Sequence, residues 1–320
     1  MGDVASQVKA ARTGVAAIDR SSRGKILVRG NDRLAFLHNM LSNSISTLTP
    51  GKGCRAELLD ERGHILGDLR VYVGAEDVRI DLEPGRADLV RATLEKYVIM
   101  DDVTLEDVSA ATAHFTVTGP ATAGLIAALG GEVPRDLWSH RVAPLGGVGA
   151  WVARTHWAST ADLDIFVPAG DRESLQAVLE KAGATTIGDA AFEVLRIEAG
   201  VARQGADLDD VIALEARLDK EGAVSFTKGC YMGQEVMARI DSRGHVNRLL
   251  VGLALGAETV PGTHIKVDGK DVGRITSAAF SPTLGKTIAL GYIRREHSEP
   301  GAAVTVGDVS GVVAALPFVP

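Results

Sequence analysis

The pattern of apolar residues changes near residue 245, and this change constrains the fold more than any other feature of the sequence. Before it, segments with helical periodicity alternate with short strand patterns. After it, only short strand candidates follow at regular spacing, such as "RLLVGLAL", "VGRITSAAF" and "TIALGYI", with glycine and proline between them. Such a run is typical of a small antiparallel sandwich or barrel. We therefore predict two domains, residues 1–242 and 243–320, which meet within the polar stretch "DSRGHVNR".

The first domain combines helices with pairs of strands. "GKILVRG" predicts a strand over 24–30, and "NDRLAFLHNML" predicts a helix that places Leu34, Leu37 and Leu41 on one face. "HILGDLRVYV" and "DVRIDLE" predict two strands joined by a turn near Gly74. Further helices are predicted over 86–98, 120–131 and 171–183, with strands at "HFTVTG" and "ADLDIFVP". This mixture favours an α+β body of two subdomains over a doubly wound parallel sheet.

Composition excludes several classes of protein. Hydrophobic residues make up 46% and charged residues 23% of the 320 residues, as in ordinary globular chains. A net charge of −7 argues against a general nucleic-acid-binding surface. No apolar run reaches the length that spans a bilayer, and the N-terminus lacks an apolar signal segment, so we expect a cytoplasmic protein without a membrane partner. Two cysteines and scattered histidines predict neither a disulfide framework nor a metal site.

One of the two cysteines, Cys230, lies in the unusual stretch "SFTKGCYMGQEVMAR". A lone cysteine is most often a small buried hydrophobic residue. Against that interpretation, Gly229 and Gly233 permit close approach of the backbone, and Lys228 is near enough in sequence to favour a thiolate. The stretch also joins the two predicted domains, where clefts tend to form. The residues leave both interpretations open and name no reaction.

A second candidate residue is Glu198, in "AAFEVLRIEAGVARQGADL". On a helix, Glu198 shares a face with Val194 and Leu195, and a carboxylate on an apolar face needs a partner. That partner is either an arginine or backbone amides within the core, or a ligand that offers two adjacent N–H donors. The stretch alone favours a partner within the protein.

The run "VSFTKGCYMGQEVMARIDSRGHVNR" resembles the signature of the YgfZ family, folate-binding proteins implicated in maintaining iron–sulfur enzymes. The rest of the chain is similar to the wider glycine-cleavage T-protein (aminomethyltransferase) superfamily. "FLHNMLSNSISTLTPGKG" and "LLDERGHILGDLRVYV" resemble its N-terminal half, with Asp60, Gly63 and Asp68 at matching places. "VGRITSAAFSPTLGKTIALGYI" resembles its C-terminal barrel. The resemblance implies a T-protein-like folate-binding body of mixed α/β subdomains, followed by an antiparallel β-barrel.

The same resemblance implies a set of site residues. "LRIEAGVARQGADL" is similar to the segment whose glutamate holds the pterin ring of tetrahydrofolate, which implies that role for Glu198. A pterin offers a ring N–H and an amino group side by side, the donor pair that one carboxylate can accept. Cys230 is implied as the chemically active group, with Lys228 favouring its thiolate. The further folate contacts implied by the match are Tyr231, Arg243 and Arg248.

The expected function follows from this likeness. We expect a protein that binds tetrahydrofolate or a one-carbon derivative and supports iron–sulfur cluster assembly or repair, with client enzymes or cluster-assembly proteins as partners. Two cysteines cannot hold a four-thiolate cluster within one chain, so a cluster would be shared, transient or on the client. The alternatives are a folate-dependent aminomethyltransferase or demethylating one-carbon transferase, and a folate-binding module without chemistry.

The enzymes of the superfamily carry a catalytic aspartate behind an Asn-Ala pair. The corresponding stretch here is "IDLEPGRADLVRATL", in which Asp88 stands about where that aspartate would be and the Asn-Ala pair is absent. At the start of a helix, Asp88 is also explained as a favourable charge at the positive end of the helix dipole. We therefore expect no classical glycine-cleavage activity.

Overall fold

A computed structural model describes residues 3–319 of the chain, with Arg243 described by its backbone alone. Within this range the helices are α1 (Val4–Thr13), α2 (Arg33–Met40), α3 (Ala87–Glu95), α4 (Thr122–Ala128), α5 (Arg172–Lys181), α6 (Asp189–Glu198) and α7 (Gln234–Arg243). The strands are β1 (Ala16–Asp19), β2 (Gly24–Arg29), β3 (Lys52–Leu59), β4 (Ile65–Val73), β5 (Asp77–Leu82), β6 (Thr104–Asp107), β7 (Thr112–Thr118), β8 (His140–Leu145), β9 (Val148–Arg154), β10 (Leu163–Pro168), β11 (Thr185–Thr186), β12 (Arg248–Leu255), β13 (His264–Val267), β14 (Lys270–Ser281), β15 (Lys286–Arg294), β16 (Ala303–Val306) and β17 (Val309–Ala314).

Two sheets form the body of the protein. The first has the strand order β3-β4-β5-β2-β6, and the second has the order β11-β1-β7-β10-β9-β8. Pairing is antiparallel except between β1 and β11. The predicted hairpin around Gly74 is present, with Val73 opposite Val78. Each sheet packs helices on one face and has its own apolar cluster, as expected for two subdomains.

The strands that begin at Arg248 close into a barrel in the order β12-β15-β14-β13-β16-β17, and β12 pairs with β17 to complete the circle. Leu253, Ile275 and Ile293 fill its interior. Closure pairs the edges that a small sheet would otherwise expose. The predicted fold class, an α+β body followed by an antiparallel β-barrel, is confirmed.

Several elements were not predicted from the sequence, namely α1, α7, β1, β3, β6, β11 and the hairpin of β8 and β9. Strand β3 shows why, because its sequence "KGCRAELL" places the charged Arg55 and Glu57 among apolar residues. Both of these side chains are buried in the structure. A strand that buries both faces, including charges, lacks the alternation of apolar and polar residues by which strands are recognised.

Helix α6 lies at the junction of the body and the barrel. It packs against α1 on one side and against β14 and β15 on the other, with Val194 and Leu195 in the apolar cluster shared with α1. The backbone carbonyl of Glu198, its last residue, accepts hydrogen bonds from the N–H groups of Phe318 and Val319. The C-terminal tail is thereby attached to the body.

Candidate functional site

A layer of buried charged side chains lies between the two sheets of the body. Arg70 and Asp81 come from the first sheet, and His114 and Asp164 come from the second. Contacts cross the gap: His114 Nδ1 is 3.5 Å from Asp81 Oδ1, and the Arg70 guanidinium lies 3.9 Å from the ring centre of Trp157. We call this set, together with Arg20 and Arg23, the charged layer.

Carboxylates of the charged layer are held by several donors each. Arg23 donates to Asp81 from Nε at 3.0 Å and from Nη2 at 2.6 Å, and to Glu83 from Nη1. Asp164 accepts from Trp157 Nε1 at 3.1 Å and lies 3.0 Å from His114 Nε2. Burial alone would raise the pKa of Asp164, but His114 and the donors around it hold that pKa well below its usual range. The layer therefore keeps an ionised carboxylate in the interior.

Some polar atoms of the charged layer have no hydrogen-bond partner within residues 3–319. These buried atoms are Nη1 of Arg20, Nε and Nη2 of Arg70 and both ring nitrogens of His114, and the hydroxyl of the nearby Tyr72 is also without a partner. The Trp157 indole lies among the guanidinium groups of Arg20, Arg70 and Arg23, at 4.0, 3.9 and 4.5 Å from its ring. Buried donors are almost always satisfied, so these atoms indicate a place for water or for a ligand.

Members of the charged layer line two cavities. One is a cleft of about 450 Å³ between the start of α6 and the body, lined by residues that include Arg20, Arg23, Glu83 and Phe192. The other is an aromatic pocket of about 190 Å³, whose walls include Tyr72, Trp151 and Phe166. Aromatic walls beside fixed charges suit a planar heterocycle that carries both donors and an anionic group.

Glu198 is fully buried and already paired. Its Oε2 accepts from Arg12 Nε at 3.0 Å and Nη2 at 2.5 Å, and its Oε1 accepts from the Ser281 hydroxyl at 2.5 Å. The partly buried Arg12 of α1 is therefore the partner of Glu198, in agreement with the preference for a partner within the protein. Glu198 lines neither of the two cavities, and contact with a pterin would require Arg12 to move. Its role in folate binding stays a prediction.

Cys230 is exposed on the loop that precedes α7, and the neighbouring Tyr231 is buried. The Lys228 ammonium donates to the carbonyl groups of His38, in the last turn of α2, and of Leu41 and Asn43, which follow that helix. Lysine at such a position satisfies carbonyls that the helix leaves open. The structure thus gives Lys228 a role as an anchor of the loop, and its predicted effect on the Cys230 thiol stays a prediction.

Burial lowers the pKa of Lys228 to about 8 and raises the pKa of the other thiol, Cys54, to about 12. The ammonium of Lys228 favours the thiolate of Cys54 electrostatically, but burial outweighs this effect. Cys54 belongs to the apolar cluster of the first sheet. The two cysteines therefore differ in environment, one packed as a hydrophobic residue and one at the surface.

The remaining predicted site residues lie elsewhere. Arg248 opens β12, where its Nε donates to Glu215 at 2.9 Å and its guanidinium lies over Tyr292. Asp88 lies in the first turn of α3 with its side chain 88% exposed, 3.5 Å from Arg91. The side chain of Arg243 lies outside the described residues. None of the predicted residues that are described lines either cavity of the charged layer.

The charged layer itself was missed by the sequence reading, although a signal for it exists. In "GDLRVYV" the residues Asp68, Arg70 and Tyr72 alternate within an apolar strand, and Asp164 is flanked by apolar residues in "DLDIFV". Ionisable residues at alternate positions of strands that are otherwise buried predict a polar face turned inward.

Two family models match consecutive parts of the chain. The GCVT N-terminal domain matches residues 2–228, and the glycine cleavage T-protein C-terminal barrel domain matches residues 248–319. No helix within residues 3–319 combines the length and apolar character needed to cross a bilayer.

Several known proteins are similar over nearly the whole chain. An aminomethyltransferase from Thermosynechococcus vestitus is 33% identical over 97% of this chain and 86% of its own length. A chloroplastic protein of Arabidopsis thaliana is 30% identical over 95% of this chain and 71% of its own length. The crystal structure of glycine cleavage system aminomethyltransferase T from Bartonella henselae superimposes with a TM-score of 0.89 at 24% identity, over 99% of this chain and 89% of that one.

Proposed function

Since the chain belongs to the glycine cleavage T-protein family, we propose that it binds a reduced folate in the charged layer between the two body sheets. The unpartnered donors of Arg20 and Tyr72 carry this proposal, because both are buried, Arg20 lines the cleft and Tyr72 lines the aromatic pocket. We propose that tetrahydrofolate or a one-carbon derivative is the ligand. The location of the protein in the cytoplasm stays a prediction.

The chemistry of the charged layer complements that of a folate. A pterin ring is planar and presents N–H donors, which a carboxylate such as Asp81, in the wall of the aromatic pocket, accepts. The aromatic pocket offers Tyr72, Trp151 and Phe166 for stacking. The glutamate end of a folate is anionic, and the cleft presents Arg20 and Arg203. We propose that the pterin occupies the interior and that the glutamate faces the cleft.

Calorimetric titration with tetrahydrofolate tests the site. Arg20→Gln should weaken binding roughly 10- to 150-fold, because a charge-assisted contact contributes about 1.5–3 kcal/mol. Arg29→Gln, at an arginine whose side chain is 54% exposed and paired with Glu106, serves as the control. Equal affinities of Arg20→Gln and the control would exclude the cleft from the folate site. If the wild type does not bind tetrahydrofolate, the proposed folate binding is overturned.

Glu198→Gln distinguishes the two roles considered for that residue. If Glu198 accepts hydrogen bonds from the pterin, tetrahydrofolate affinity should fall by a similar factor. If it serves only as the partner of Arg12, the folded variant should bind with wild-type affinity and lose stability instead. Titration and urea unfolding of the same preparation separate these outcomes.

We further propose that the protein supports iron–sulfur cluster assembly or repair in client proteins, with Cys230 as the active group. Cys230 is exposed on the loop that Lys228 anchors, and this exposure supports the role. In cells that lack the protein, Cys230→Ser should fail to restore iron–sulfur enzyme activities, most visibly under oxidative stress. Cys54→Ala, at the buried thiol, is the control. Full rescue by Cys230→Ser would leave a folate-binding protein without this chemistry.

A second candidate function is aminomethyl transfer, favoured by the name of the relative that is 33% identical. Reconstitution with the other glycine-cleavage components tests it by measuring methylene-tetrahydrofolate formation. Because Asp88 is exposed and lines neither cavity, we expect Asp88→Asn to bind folate as the wild type does. Rapid turnover by the wild type that is lost in Asp88→Asn would favour aminomethyl transfer over the iron–sulfur function.

A further inference from the structure

Glu57 is the least satisfied carboxyl group among residues 3–319. It lies on β3, directly opposite Asp68 of β4, and its side chain is completely buried. Among residues 3–319, no N–H or hydroxyl group donates to either of its oxygens. An ionised carboxylate without donors is very costly in a protein interior, so this side chain needs an explanation.

The guanidinium groups of Arg55 and Arg70, which face Glu57, donate their hydrogen bonds to the neighbouring Asp68. Arg55 donates to Asp68 from Nε at 2.7 Å and from Nη2 at 3.1 Å, and Arg70 donates to Asp68 from Nη1 at 2.6 Å. The third nitrogen of Arg55 donates to Glu221. Arg55 Nε is 3.7 Å from Glu57 Oε1, beyond hydrogen-bond distance.

The charges of this cluster balance without Glu57. The two guanidinium groups of Arg55 and Arg70 are matched by the two carboxylates of Asp68 and Glu221. A charge on Glu57 would leave the buried cluster with one negative charge in excess. Burial and the charge of Asp68 raise the pKa of Glu57 well above its usual value, whereas Arg55 and Arg70 overcome the effect of burial and keep the pKa of Asp68 low.

The pair is continuous with the charged layer. Asp68 and Arg70 lie on the same face of β4, and the Arg70 guanidinium stacks on Trp157 with two donors unpartnered. Arg70 therefore links Asp68 to the charged layer. Paired carboxyl groups whose environments separate their protonation states are characteristic of acid–base sites.

We propose that Glu57 and Asp68 form a buried acid–base pair that holds one proton. The proton resides on Glu57, while Asp68 stays ionised and paired with Arg55 and Arg70.

Infrared spectroscopy tests the stored proton in the ligand-free protein at neutral pH. The wild type should show the carbonyl-stretching band of a protonated carboxyl group, and Glu57→Gln should lose it. Asp68→Asn should lose it as well, because Glu57 must then supply the second negative charge, beside that of Glu221, for Arg55 and Arg70. Glu215→Gln, at a buried glutamate that is paired with Arg248, should keep the band.

Thermal unfolding of each variant shows whether it is folded. Because Glu57→Gln is isosteric, the comparison of its spectrum with that of the wild type stands even where Asp68→Asn does not fold. A wild-type spectrum without a band that Glu57→Gln removes would overturn the proposal. A band that survives in a folded Asp68→Asn would overturn the coupling of the two groups.

Discussion

At the scale of single residues, the different burial of the two cysteines predicts that an alkylating reagent modifies only one of them in the folded protein. The thiolate is the nucleophile, and burial raises the pKa of Cys54 to about 12, whereas Cys230 is exposed. We expect one thiol, Cys230, to react quickly with iodoacetamide at neutral pH and Cys54 to react only after unfolding. Timed alkylation followed by peptide mass spectrometry measures both sites. Rapid modification of Cys54 in the folded protein would contradict the structure.

Cys54 also predicts how stability depends on pH. Its pKa rises from an ordinary 9.0 to about 12 in the folded state, so the unfolded chain releases the proton first. The stabilisation is complete below the unfolded value and is lost as pH rises through the folded value. Compared with Cys54→Ala, the wild type should lose unfolding free energy over this interval. Urea unfolding across the pH series tests this, and a constant difference between the two proteins would refute it.

At the scale of elements, the conformation of the Cys230 loop depends on Gly233, the residue immediately before α7. Gly233 has φ of +81°, and a Cβ there would lie 2.6 Å from the carbonyl oxygen of Asp60, whereas Gly229 faces open space. Gly233→Ala should cost at least about 1–2 kcal/mol, the strain of a left-handed conformation. Gly229→Ala should stay close to the wild type. Urea unfolding compares the two, and similar losses would mean that Gly233 is not a constraint.

At the scale of the whole molecule, the C-terminal tail joins the barrel to the body. A Cβ on Gly252 would lie 2.7 Å from Phe318 Cζ and 2.8 Å from Leu316 Cδ2, so Gly252→Ala should displace the tail and cost about 1–3 kcal/mol. Amide exchange at Phe318 and Val319, whose N–H groups bond to Glu198, should accelerate.

Gly256→Ala is the matched control for that change, because a Cβ there would make only ordinary contact, 3.6 Å from the Ser310 carbonyl oxygen. Its unfolding free energy and its exchange at the tail should match those of the wild type. Equal exchange in Gly252→Ala and Gly256→Ala would show that the tail does not depend on this packing.

Local pattern in the sequence was sufficient for most of the fold. The helical spacing of "NDRLAFLHNML" and the short strands after residue 245 correspond to α2 and to the barrel, because periodicity reflects which face of an element is buried. Of the two glycines beside Cys230 that the sequence singles out, Gly233 has the positive φ of a special backbone position, whereas Gly229 faces open space. These features depend on neighbouring residues, so they can be recognised without the tertiary structure.

Only the tertiary structure decided which charged groups meet. Glu198 pairs with Arg12 from 186 residues away, and the Lys228 ammonium reaches the Leu41 carbonyl across 187 residues, so it anchors a loop where sequence proximity had suggested a thiol. The charged layer arises because alternate residues of strands in two different sheets face one another. Apolar burial is a property of each segment, whereas the partner of a buried charge depends on how separate segments stack, and no local pattern encodes that.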